Sequence, residues 1–308
     1  HEPIPETKAL MELIDQKKPT FIYSLHNAGF GGCYWYLTDG DEALYKALYR
    51  QPALEKVPLN LGEPEAPYCE EFYPGMYRML GVKAHYDYLE KFVPDKDPAT
   101  MITSGTSSDE YANREGKIIS RALVNEMPYF YDQRIDDTTP SDMIRREAVL
   151  INCDQTEAFF AALTPLYERA KPLIRTWNPF FISVEDRMAG SSAGNMDAKR
   201  QWAMTPEFEE KATVAQKFEN LYGQGFYRNL SMCLLWRACT YELEHGTDMS
   251  DAARAELEAI KADAGKLMEE NLRYLEENLH YQAIPIQKLV RIQLASGLLY
   301  AKYVHDKN

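Results

Sequence analysis

Three residues of this 308-residue chain stand where their chemistry is useful. His26 closes the apolar part of FIYSLHNAGFGG, Glu126 closes that of ALVNEMPYFYD, and Tyr111 lies in the small polar stretch SGTSSDEYANREG. An imidazole is either a metal ligand or an acid–base group near neutral pH, and otherwise a structural side chain. A carboxylate beside Tyr129, Phe130 and Tyr131 is expected to have its pKa raised and to serve as a general base, or else to pair with an arginine. A tyrosine in a glycine-containing loop can swing over a bound substrate. The glycines of NAGFGG allow a tight turn, close backbone approach and room for a substrate beside His26.

Other chemistries find no footing. The chain has no G-x-S-x-G elbow, no Walker loop, no G-x-G-x-x-G and no His-Glu-x-x-His. Cys33 follows His26 by seven residues but is flanked by Tyr34 and Trp35. The five cysteines, odd in number and without C-x-x-C spacing, read as reduced and mostly buried. The acidic runs GEPE and CEEF read as a solvated face, with cation binding the alternative. A balance of 34 Lys plus Arg against 47 Asp plus Glu, net −13, argues against a nucleic-acid partner. No apolar run approaches the roughly 20 residues that span a bilayer. HEPIPETKAL has neither the charged nor the apolar part of a secretion signal, so a soluble protein is expected, with the cytoplasm slightly favoured over a mature secreted product.

The elements that must hold these residues follow from periodicity. PETKALMELIDQKK places Ala9, Leu10, Leu13 and Ile14 at helical spacing, and TFIYSLH then reads as a buried strand that ends in His26. DEALYKALYRQ is a second helix, PALEKVPLNLGEPEAPYCEEFYPG a long loop, and Ile118–Asn125 a strand closed by the Met127-Pro128 step. Ligands of open α/β sheets bind at the carboxyl ends of strands, where His26 and Glu126 are placed. Beyond Asp154 the texture is helical. Leu257, Ile260, Ala264, Leu267, Leu275 and Leu279 keep one apolar stripe, capped by Ser250 or Asp251, and MAGSSAGNMDAKRQW reads as a loop or hinge. The expected architecture is α/β with a mixed-sheet layer over residues 1–150, followed by an all-α helical region over 151–308.

The order of these pieces resembles the zinc carboxypeptidases of the carboxypeptidase A type. In that family an E-x-E/T helix leads into a strand ending in the third zinc ligand, and PETKALMELIDQKKPTFIYSLHNAG puts His26 on that position. A Gly-x-Ser-x-Asp-x-Tyr loop whose tyrosine closes over the substrate carboxylate matches GTSSDEY and gives Tyr111 that role. A strand ending in the catalytic glutamate matches ALVNEMPYFYD and gives that role to Glu126. The resemblance covers roughly residues 1–135 and implies the C-terminal half of such a catalytic domain, a Zn2+ cofactor acting as Lewis acid, and a peptide or small amide substrate cleaved near a free carboxylate. The family's first two ligands form a His-x-x-Glu motif upstream of the third. None of the six histidines here begins that motif, so a separate N-terminal fragment carrying it is the expected partner. The alternative is a non-catalytic scaffold of metallopeptidase type whose helical region binds another protein.

Overall fold

The computed structural model describes residues 2–102, 105–190 and 193–307. In chain order its first elements are α1 (Pro5–Lys17), β1 (Phe21–Phe30), β2 (Tyr34–Leu37), α2 (Glu42–Glu55), β3 (Glu71–Tyr73) and β4 (Met76–Arg78). There follow α3 (Val82–Phe92), α4 (Ser108–Ala112), β5 (Arg121–Tyr131), β6 (Pro140–Ile144), α5 (Arg145–Ala170), α6 (Pro179–Gly190) and α7 (Ala193–Ala203). The chain ends through β7 (Lys211–Thr213), α8 (Val214–Phe218), α9 (Gln224–His245), α10 (Asp251–Asn278), β8 (Gln282–Ala283) and α11 (Ile286–Lys307). No helix among the described residues is long and apolar enough to cross a membrane.

Two compact units divide the chain: His1–Ser141 with Thr213–Gln216 and Tyr281–Asn308, and Asp142–Ala212 with Lys217–His280. The change therefore falls at 141, not 150, and the last 28 residues return to the first unit instead of extending a helical domain. The reason is packing. Leu289, Ile292, Tyr300 and Val304 of α11 are buried in one core with Trp35, Leu37, Met76, Leu123 and Met127 of the sheet and with Leu44 and Leu48 of α2. Trp35 Nε1 donates to Ser296 Oγ at 3.1 Å, and Tyr300 donates to the Asp39 carbonyl at 3.0 Å.

The sheet of the first unit is mixed, in the order β1-β5-β2-β4-β3, with β8 also on β5. β1 runs parallel to β5, and β2 runs antiparallel to it. Alternation sends Leu123, Asn125 and Met127 of β5 to the core under α2 and α11, and Val124 and Glu126 to the opposite face. There Val124 packs with Tyr34, Tyr36 and Tyr77.

Both key strands run past their expected ends. β1 continues four residues beyond His26 and β5 passes through Pro128, while Ile118 and Ile119, expected in the strand, are exposed. Register irregularities between Asn27 and Gly29 and between Gly29 and Phe30, with Gly29 opposite Pro128, let a residue without an N–H sit in the ladder. Gly29 and Gly31 take positive φ values of 70° and 140°. The close approach at Gly32 is to the chain itself: a Cβ there would lie 2.2 Å from the Asn60 nitrogen and the Leu59 carbonyl carbon. That space is filled by backbone and is not open to a substrate.

The second unit is a helical assembly. Leu163, Leu166 and Tyr167 of α5, Phe181 and Val184 of α6, Met232, Leu235 and Cys239 of α9, and Leu257, Ile260 and Ala264 of α10 form its core. Ser250 is the cap of α10, accepting from the Ala253 amide at 3.2 Å. Within the region of helical texture, residues 205–246 break into a short turn at Pro206–Glu209, β7, α8, a wide π turn at Glu219–Gly223, and α9. The stretch expected as a loop around residue 190 is helical on both sides, with Ser191 and Ser192 outside the described residues.

Candidate functional site

The parallel register of β1 and β5 sets His26 opposite Glu126, and their side chains meet: His26 Nδ1 lies 2.9 Å from Glu126 Oε1. A hundred residues of sequence separate the two, so the pairing is made by the sheet and not by local structure. Glu126 is buried at 8% exposure, whereas the His26 side chain is 51% exposed. Nδ1–H therefore donates to a sheltered carboxylate while the rest of the ring meets solvent.

The register also places Tyr34 of β2 beside Glu126. Tyr34 and Tyr36 donate to Glu65 Oε2 at 3.2 and 2.8 Å, which brings a second carboxylate to this face. Burial raises the Glu126 carboxyl above the ordinary glutamate value, the His26 ring opposes that rise, and the Glu65 charge adds to it. Glu65 belongs to the GEPE run that reads as solvated. Its alternation partners Tyr34 and Tyr36 are the signal in YWYL, two tyrosines on one strand face. Gln293 of α11 donates to the His26 carbonyl at 3.1 Å and holds the irregular part of β1.

Tyr111 is not brought to this pair. Ser107 caps α4 by accepting from the Glu110 amide, Asp109 accepts from Thr38, Glu110 accepts from the Val82 amide at 2.9 Å, and Tyr111 donates to Asp15 Oδ2 at 2.8 Å. Arg114 stacks 4.2 Å over its ring. These ties set α4 by Ser120 at the amino end of β5, while Glu126 lies five residues further along the strand from Arg121. Tyr111 instead lines a separate cleft of about 530 Å3 with α1. Of the loop read as mobile, Ser104 lies outside the described residues, and Ser108–Ala112 is helical instead.

Cys33 points to the other face. Its thiol is fully buried, accepts from Asn125 Nδ2 at 3.7 Å, and is pushed well up by burial, the state of an inert cysteine. Among the described residues no group of three His, Cys, Asp or Glu stands together to hold a metal ion. With Nδ1 committed to Glu126, His26 offers Nε2 to a metal, and one imidazole is not a zinc site. The described residues alone thus do not fit zinc.

No protein-family profile, curated protein or solved structure matches the chain.

Proposed function

We propose that the first unit carries the carboxylate–imidazole part of a hydrolytic site of zinc-carboxypeptidase type, acting on a peptide or small amide near a free carboxylate. The observation that supports this reading is the His26 to Glu126 hydrogen bond of 2.9 Å between adjacent parallel strands. A carboxylate raised by burial and held against an imidazole is suited to take a proton and return it near neutral pH. Glu126 is the base, and His26 orients it.

The remaining metal ligands come from a separate segment that adds along β1. β1 is the edge strand of the sheet, and its Leu25 is 62% exposed. Beside it, Ile286, Val290, Leu294 and Leu298 form a four-residue-spaced stripe on α11, each more than half exposed. An open strand edge next to an apolar stripe favours an added strand and its covering element.

The competing reading is a non-catalytic scaffold, favoured by the lack of a three-ligand group among the described residues. Elemental analysis of the chain, alone and together with any polypeptide that copurifies with it, separates the two. The hydrolase reading predicts stoichiometric zinc in the assembled species and its loss in His26→Ala. An assembled species without zinc, or zinc retained in full by His26→Ala, leaves the scaffold.

A further inference from the structure

The second unit holds a pocket of about 410 Å3 among α5, α9 and α10, and its charge is unusual. Arg228 on its wall donates Nη1 to Thr156 Oγ1 at 3.2 Å and Nη2 to Gln155 Oε1 at 2.8 Å. Both acceptors are neutral, and among the described residues no carboxylate pairs with it. Burial pushes the guanidinium down to about 10, with only the Tyr274 phenol acting the other way. Arg228 is therefore a cation at neutral pH that is partly desolvated and has no anion beside it, which is unfavourable unless a ligand completes it.

Phe159, Met232 and Leu267 supply an apolar part of the lining, beside the polar Gln155, Asn271 and Tyr274. Glu270, the lining carboxylate, has a half-exposed side chain 4.0 Å from Lys266. The local backbone is adapted to this arrangement. The π turn Glu219–Gly223 leads directly into α9, and Gly225 leaves space where a Cβ would come within 3.0 Å of Leu275 and 3.6 Å of the Arg228 guanidinium. Wide turns of this type are concentrated at functional sites.

We propose that this pocket binds a small organic carboxylate with an apolar body. Arg228 receives the two carboxylate oxygens in a charge-assisted fork, and the apolar part of the lining covers the body. The site lies within the second unit and does not depend on the hydrolase reading of the first.

Calorimetric titration of the full chain tests it with three probes: N-acetyl-L-leucine, 4-methylpentanoate and inorganic phosphate. N-acetyl-L-leucine and 4-methylpentanoate are both expected to bind, and phosphate more weakly than either. Arg228→Met should reduce the binding of both carboxylates by about a hundredfold. The ligand-free Arg228→Met protein is expected to melt no lower than the wild type. Binding that survives Arg228→Met, phosphate bound more tightly than either carboxylate, absence of binding at about 10 mM, or a lowered melting point in ligand-free Arg228→Met would each overturn the assignment.

Discussion

In the sheet unit the buried Glu126 meets the His26 ring, whereas in the helical unit Arg228 donates to a hydroxyl and an amide oxygen, with no carboxylate on it among the described residues. A third charge shows what full satisfaction looks like. Glu242, 2% exposed in the helical unit, accepts from the Arg175 and Thr176 amides at 3.0 and 3.2 Å and from the Thr176 hydroxyl at 3.2 Å. Glu242 is structural because its partners are part of the fold. Among the described residues Glu126 has one side-chain partner, and Arg228 has no partner of opposite charge. The progression separates charges that hold a fold together from charges that await something.

The comparison can be broken by substitutions that each act on one unit. Gly32→Ala should have the largest effect, about 3 kcal/mol or more, because the backbone of Leu59 and Asn60 cannot retreat from a new Cβ. Glu242→Ala should cost about 2 kcal/mol by leaving buried amides unpaired. Hydrogen exchange read by mass spectrometry checks both: protection should fall in β1, β2 and β5 for the first, and in α6 and α9 for the second. Equal loss in both units from either variant would mean that they do not behave as separate folding units. Arg228→Met should shift urea unfolding by about 1 kcal/mol or less, toward greater stability, since it removes a charge without a counter-charge.

The smallest effect is a change of slope with pH. The folded protein holds the Glu126 proton more tightly than the unfolded chain does. Stability should therefore fall as pH rises from the ordinary glutamate value of about 4.3 through the raised value of Glu126. Glu126→Gln should flatten that part of the urea-denaturation profile. An unchanged slope would place the Glu126 carboxyl in an environment like water.

Local signals carried much of this. The α10 stripe was readable because Leu257, Ile260, Ala264 and Leu275 are buried at helical spacing, with Leu267 partly buried between them. The two strands with His26 and Glu126 were readable as apolar runs, but their ends were not, since a bulge lets Pro128 stay in the ladder. The return of α11 to the sheet left no local mark. Its apolar residues lie on two sides, one against Trp35 and Leu123 and one exposed, and periodicity does not name the partner. Tyr111 reads as a loop tyrosine in the sequence but sits in α4, and its tie to Asp15 is a contact across almost a hundred residues. Arg228 looks like any cation on a helix. What distinguishes it is the lack of a carboxylate partner among the described residues, which no spacing rule reports.

The proposed role of Glu126 as the base of a hydrolytic site is tested by turnover of a blocked dipeptide with a free carboxyl terminus, measured on the purified chain with whatever copurifies, as wild type and as Glu126→Gln, with zinc content determined on the same samples. Hydrolysis by the wild type is expected, with a loss of about a thousandfold or more in the variant at unchanged zinc content. Turnover retained in Glu126→Gln would contradict it.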